Sequence, residues 1–182
     1  MKNLVEKQIS RENIFKGKVL EVVCDTVELP NGKSATREMC LHLGAVAVIP
    51  LLDDGRVVME RQYRYPIGRV VLEIPAGKLD YKGEDPLEAA HRELREETGA
   101  IAGKMTYLGE LIASPALISE KIQLYLAEDL KFGETELDED EFLEVELIPL
   151  DELVNMVMRG EIADGKTQIA ILKAHMLKAN KQ

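Results

Sequence analysis

Three features of this 182-residue sequence predict an α+β fold, an α/β/α sandwich built around a mixed sheet. Short apolar runs rich in β-branched residues recur along the chain, and two neighbouring pairs are separated by the turn signals Asn31-Gly32 and Asp53-Asp54-Gly55. Helical patterns fall between and after these runs rather than in one separate block. Residues 44–52, GAVAVIPLL, are uninterrupted apolar sequence of strand length and read as a buried strand.

Taken in order, residues 1–10 are expected to be loosely held. Residues 19–29 alternate in part and are rich in valine, so they read as a strand. Pro30-Asn31-Gly32-Lys33 is a turn, and residues 35–43 return as its partner. This N-terminal antiparallel β-hairpin unit, residues 1–43, has few large apolar side chains and must pack on the rest of the chain or on another subunit. Residues 44–182 form the main domain. Within it the buried strand turns at Asp53-Asp54-Gly55 into a hairpin partner over 56–63. Residues 70–74, 105–112 and 122–126 are further strands, with Ser114-Pro115-Ala116-Leu117-Ile118-Ser119-Glu120 as the loop between the last two. An acidic run over 134–146 passes into a strand near 144–149. Asp151 caps a helix ending near Gly160. Asp164 opens the last helix, 167–178, with Ile169, Leu172 and Leu177 as its core face.

Composition bounds the function. The length suits one domain with a small appended unit. No apolar run reaches membrane-span length and the start, MKNLVEKQ, is polar, so a cytoplasmic protein with no membrane association is expected. Cys24 and Cys40 lack metal-ligand spacing and read as reduced thiols. A net charge of −10 argues against nucleic-acid binding through a basic surface. It would also repel an anionic substrate unless bound cations reverse the local sign.

The chemistry concentrates in residues 73–100, EIPAGKLDYKGEDPLEAAHRELREETGA. Asp85 is an N-cap, Pro86 stands at the first helical position, Glu88 is placed for a capping box, and Gly99 suits the left-handed residue that ends a helix. Between these caps, Glu93, Glu96 and Glu97 lie three and four residues apart and share one helix face. A run of like charges is most often a solvated surface. Here it follows an apolar strand and the glycine-containing loop Pro75-Ala76-Gly77-Lys78, where backbone can approach a ligand closely. Clustered carboxylates of this kind select Mg2+, with Mn2+ as a substitute.

Gly77, Glu84, Arg92, Glu93, Leu94, Glu96, Glu97, Gly99 and Ala100 together resemble the Nudix box, with one extra residue in the loop between Gly77 and Glu84. The resemblance implies a Nudix-like sandwich from about Gly44 onward and a metal-dependent hydrolase of nucleoside diphosphates linked to another group. It implies Glu93, Glu96, Glu97 and the Ala76 carbonyl as metal ligands, and the likeness of the acidic residues 138–141 to a loop of such enzymes implies Glu141 as a further ligand and Glu139 as general base, with Glu93, Glu97 and Glu139 catalytic. Arg92 and Glu84 would orient the box glutamates.

Over about residues 19–171 the chain further resembles the ADP-ribose pyrophosphatase branch of this family. The marks are Arg37-Glu38, Gln62-Tyr63-Arg64, Glu73-Ile74-Pro75-Ala76-Gly77-Lys78, the Ser114-Pro115 loop, and the acidic tetrad at 138–141. Pro115 holds the position that accompanies ADP-ribose in that branch, whereas Ala116 replaces the usual glycine. The resemblance implies cleavage of ADP-ribose to AMP and ribose 5-phosphate by a homodimer formed through the N-terminal unit. It implies substrate contacts from Arg37, Glu38, Arg64, Glu73, Lys78, Ser114, Pro115 and Glu120. The alternatives are a hydrolase of another nucleoside diphosphate sugar or nucleotide, and a non-catalytic ADP-ribose sensor. The intact glutamate set and the lack of an appended DNA-binding segment weigh against the sensor.

Overall fold

The computed structural model describes residues 3–137 and 141–180. Its contacts gather the chain into two compact units, Met1–Gly44 with Ile112–Lys121, and Ala45–Leu111 with Ile122–Gln182. The segment 112–121, which the sequence assigned to the main domain, thus groups with the N-terminal residues.

In the first unit, β1 (Lys7–Lys16), β2 (Glu21–Glu28) and β3 (Ser34–Leu41) form an antiparallel sheet in that order. The β2–β3 turn closes through Gly32, whose N–H donates to the Leu29 carbonyl at φ 79°. Strand β1 corrects the expectation of a loose start. Its sequence, KQISRENIFK, is exposed throughout and carries no alternation to betray a strand. What holds it is the ladder to β2, reinforced where Arg11 grips the buried Asp25 with two hydrogen bonds of 2.7 Å. The segment 112–121 docks on the end of β3: Cys40 N–H donates to the Leu117 carbonyl and Ser119 N–H to the Cys40 carbonyl.

The second unit is the sandwich. Strands β4 (Ala45–Pro50), β5 (Arg56–Arg64), β6 (Arg69–Glu73), β7 (Ala76–Lys78), β8 (Ala100–Leu111), β9 (Ile122–Phe132) and β10 (Leu143–Pro149) make two sheets, ordered β7-β4-β9-β8 and β10-β5-β6. The first is mixed, because β4 and β9 run parallel while its other pairs are antiparallel. Helix α1 (Pro86–Thr98) covers one face, where Ala89, Ala90 and Leu94 pack on Val46, Val48 and Tyr125. Helices α2 (Leu150–Met158) and α3 (Gly165–Ala179) cover the other, against Ala45, Ala47, Ile49 and the inner residues Val57, Met59, Leu72 and Ile74. Strand β4 reads as unbroken apolar sequence because both of its faces are buried.

Several expectations are corrected in detail. The Asp53-Asp54-Gly55 turn forms, with Gly55 N–H donating to the Leu52 carbonyl, but β4 and β5 diverge into different sheets beyond one bridge, Leu51 to Val57. A turn signal fixes a reversal of the chain, not the partner that the strand finds farther along. The loop at Ala76-Gly77-Lys78 is a short edge strand on β4. Helix α2 starts on Pro149, with Asp151 in its first turn rather than at the cap. The fully buried face of α3 is Thr167, Ala170, Ile171 and Ala174; Ile169 packs against that core as expected, while Leu172 and Leu177 are more than a third exposed. Thr167, Ala170 and Ala174 are small enough to let that helix lie close to the sheet around Ile171, and Leu172 and Leu177 are left at its margin. Among the described residues no helix is long and apolar enough to cross a membrane.

Candidate active site

Helix α1 carries the carboxylates and its caps fix where they point. The Asp85 side chain accepts from Leu87 N–H at 2.8 Å, and Gly99 ends the helix at φ 68° with its N–H on the Arg95 carbonyl. A Cβ on Gly99 would lie 2.6 Å from the Gly133 carbonyl oxygen, so this position requires glycine for space as well as for conformation. Opposite the helix, β7 brings backbone against the acids. Ala76 N–H donates to Glu97 Oε2 at 2.9 Å, and a Cβ on Gly77 would fall 2.0 Å from the Glu93 carboxyl. Only glycine at 77 leaves the Glu93 carboxylate where it stands.

Arg92 ties this edge together. Its Nη1 donates to Glu93 at 2.8 Å and to Glu96 at 3.2 Å, while Nη2 reaches Glu84 and the Lys78 carbonyl, each at 3.4 Å. Glu84 in turn accepts from Asp80 N–H at 2.6 Å, bracing the loop before the helix. Burial works against the Arg92 charge, but Glu93 and the surrounding acids outweigh it and raise its pKa.

Strands β5 and β6 supply a second group. Glu60 and Glu73 are register partners on adjacent strands, and both are almost fully buried. Glu73 is held by Arg64 through bonds of 2.8 and 3.0 Å and by Lys166 at the start of α3. Burial acts to raise the Glu73 pKa, and those two cations reverse it to a net lowering. Lys166 also meets Asp164, whose side chain caps α3 on Thr167 N–H, and the Thr167 hydroxyl accepts from Ile74 N–H beside Glu73. The charges of Arg64 and Lys166 also pull the Glu60 pKa down, but they do not overcome its burial and the neighbouring acids, and its buried Oε1 lacks a hydrogen-bond partner.

Electrostatics mark the site as short of positive charge. Burial lifts the Glu93 pKa to about 7, against the pull of Arg92. Burial also raises Glu97, with Glu60, Glu93 and Glu141 adding like-charge repulsion. Glu60 is raised by burial and by Glu141 and Glu73. Carboxylates buried together without matching cations are a donor set for a hard divalent ion. The residues therefore fit a metal: hard oxygens, an orphaned buried carboxylate oxygen, and a glycine that keeps backbone and carboxylate in contact. Among the described residues no three acidic groups are already gathered as a finished metal cage. That suits an ion that keeps several waters and shares substrate oxygens.

The sequence-assigned residues fall in both units. Ala76, Glu93, Glu96, Glu97, Arg64, Glu73 and Lys78 all lie in the second. Glu141 lies there too, close enough for its charge to act on Glu60, Glu93 and Glu97. Glu139 lies outside the described residues. Its chain on the N-terminal side is anchored at α1, where Glu136 N–H donates to the Glu96 carbonyl and Arg95 meets the Glu136 carboxylate at 3.2 Å. Arg37, Glu38, Ser114, Pro115 and Glu120 lie in the first unit. There Arg37 pairs with Glu6 and Glu120 stands 3.5 Å from His42, while the Ser114 carbonyl accepts from Leu117 and Ile118 N–H in the turn that includes Pro115. Glu38 is exposed on β3.

Two residues of the site escaped the sequence reading. Glu60 left a signal, one acid closing the apolar run Val57-Val58-Met59. Lys166 left none, since a lone lysine in a polar turn is ordinary until the turn is seen to end against Glu73.

The chain is similar to known proteins. A family model for the NUDIX domain matches residues 41–169, and one for the nucleoside diphosphate sugar hydrolase N-terminal domain matches residues 6–39. An ADP-ribose pyrophosphatase of Bacillus subtilis is 47% identical over 94% of this chain and 93% of its own. A methanol dehydrogenase activator of Bacillus methanolicus is 45% identical over 91% of this chain and 90% of its own. A crystal structure of an ADP compounds hydrolase superposes with a TM-score of 0.86 at 24% identity, covering 100% of this chain and 98% of that one. With a NUDIX match across most of its length and relatives alike from end to end, the chain belongs to the Nudix family.

Proposed function

We propose that the protein hydrolyses ADP-ribose to AMP and ribose 5-phosphate, with Mg2+ as its metal and Mn2+ able to replace it. The observation that carries the reading is the acidic set Glu60, Glu93 and Glu97: Glu60 and Glu97 are buried, Glu93 and Glu97 stand against the β7 backbone, and Arg92 is the cation bonded to Glu93. A diphosphate cannot approach such a group unaided, whereas a divalent ion would neutralise both and lower the pKa of a water. Glu93, Glu96, Glu97, Glu141 and the Ala76 carbonyl hold that ion. Arg92 keeps Glu93 and Glu96 in place by charge-assisted hydrogen bonds. Glu139 accepts the proton of the attacking water.

Arg64 offers its guanidinium to the diphosphate, held in position by Glu73, while Lys78 sits at the exposed end of β7. Arg37, Glu38, Ser114, Pro115 and Glu120 are the further substrate contacts of this reading. The choice of ADP-ribose is supported by likeness to a pyrophosphatase of that name along nearly the whole chain. The N-terminal unit serves as the dimerisation element, supported by exposed Ile9, Ile14 and Phe15 on β1.

Comparing kcat/KM for ADP-ribose, GDP-mannose, NADH, a dinucleoside polyphosphate and an NTP, with Mg2+ and then with EDTA, tests both parts. ADP-ribose is expected to lead, and activity to vanish in EDTA. Preference for another substrate overturns the choice of ADP-ribose, and turnover in chelator overturns the metal.

A further inference from the structure

Strand β5 places a carboxylate where the strand has no use for one. Glu60 follows Val57, Val58 and Met59, all fully buried, and is itself 2% exposed. Its cross-strand partners are Glu73 on β6 and Val145 on β10. Facing acids on neighbouring strands repel unless a cation intervenes. Two cations do intervene, but Arg64 and Lys166 both bond Glu73, and neither bonds Glu60. Apart from those, the charges that act on Glu60 come from carboxylates, Glu73, Glu141 and, in reciprocal coupling, Glu97. Its buried Oε1 has no hydrogen-bond partner. A valine or glutamine would satisfy the strand better, so the hard oxygen is matched to something other than a side chain.

Building on the metal-dependent reading above, we propose that Glu60 is itself a metal-ligating carboxylate of this site, supplied by β5 from outside the sequence motif. Glu93 and Glu97 would hold the ion from α1 and Glu60 would hold it from β5, the three carboxylates drawing together around an ion that none of them encloses by itself. With the ion bound, α1 and β5 would both contribute ligands, so the sheet would take part in the coordination as well as supporting it. The number of carboxylates contributed by protein rises, which favours binding of the ion before substrate arrives.

Mn2+ titration of the free full-length protein, followed by electron paramagnetic resonance without substrate, separates the possibilities. Wild type, Glu60→Gln, Glu60→Val and Glu97→Gln are compared, each with a urea unfolding curve in EDTA. Both Glu60 variants should bind Mn2+ at least about tenfold more weakly or lose a bound ion, the scale known even for residues that only support ligands. In EDTA they should unfold at higher urea than wild type, which separates lost binding from lost folding. Wild-type Mn2+ affinity and stoichiometry in both variants, with Glu97→Gln weakened, would overturn the assignment and leave Glu60 a buried structural acid. Failure of wild type itself to bind Mn2+ would overturn the metal-dependent reading, and this inference with it.

Discussion

Removing the metal should invert the usual dependence of stability on pH. Glu93 has an ordinary pKa of 4.5 and reaches about 7 in the fold. Between those values the native protein binds more protons than the unfolded chain, so stability is greatest below the lower value and is lost as pH rises through the upper. At about 1.4 kcal/mol per pH unit, the interval from 4.5 to about 7 corresponds to about 3 kcal/mol from Glu93 alone. Glu60 and Glu97 are shifted in the same direction and add to the loss. Glu73 acts oppositely: its lowered pKa gives stability present above its unfolded value and lost in stronger acid. Metal-free protein should therefore be most stable in mild acid, and should lose stability as pH rises toward 8. The assay is urea unfolding in EDTA at pH 5, 6, 7 and 8, repeated with saturating Mg2+, which binds the ionised carboxylates and should flatten or reverse the slope. Glu93→Gln should remove its share of the slope in EDTA. Stability in EDTA that is level, or that rises from pH 5 to 8, would refute the description of these acids as a buried, uncompensated group.

Other expectations follow from the same geometry. Glu97→Gln should lower kcat roughly a hundredfold or more and regain part of it at high Mg2+, whereas Glu139→Gln should lower kcat by roughly 10²–10⁴, resist added Mg2+ and respond to higher pH. A rate titration against Mg2+ at two pH values separates ligand from base. Lys166→Met removes one of two cations from buried Glu73 and should cost about 1.5–3 kcal/mol in urea unfolding; an unchanged midpoint would show that Arg64 suffices. Leu94→Ala, at a fully buried contact of α1 with β4, should cost about 2–5 kcal/mol in the same measurement. Deleting residues 1–43 should give an inactive monomer, and a fully active monomer by light scattering and turnover would remove the dimerisation role.

What could be read from sequence followed local physics. The caps of α1 at Asp85 and Gly99, and the shared face of its glutamates, depend on neighbours within a few residues and could be placed without coordinates. The burial of β4 was legible because apolar sequence of strand length has few other uses. Strand β1 was not, because pairing rather than burial holds it and pairing leaves no periodicity. The division of β4 and β5 between sheets, and the arrival of Lys166 beside Glu73 across 93 residues, depend on topology that turn signals do not encode. Glu60 lies between these cases: its oddity is visible in sequence, but its meaning rests on which acids the fold sets around it.

The parallel pairing of β4 with β9 has a consequence for how the chain is made. Ala45 meets Ile122 only after the intervening strands and the whole of α1 have been synthesised. Until then the apolar face of α1 has only part of its partner, because Tyr125 and Ala127 complete the layer that buries Ala90 and Leu94. Non-local pairing of this kind closes slowly, since loop entropy is lost before contacts repay it. At about 5–20 residues per second on the ribosome, the glutamate-bearing helix spends seconds as an exposed amphipathic segment. Its crowded carboxylates, a liability inside the finished fold, keep that segment charged and dispersed while it waits for its strand.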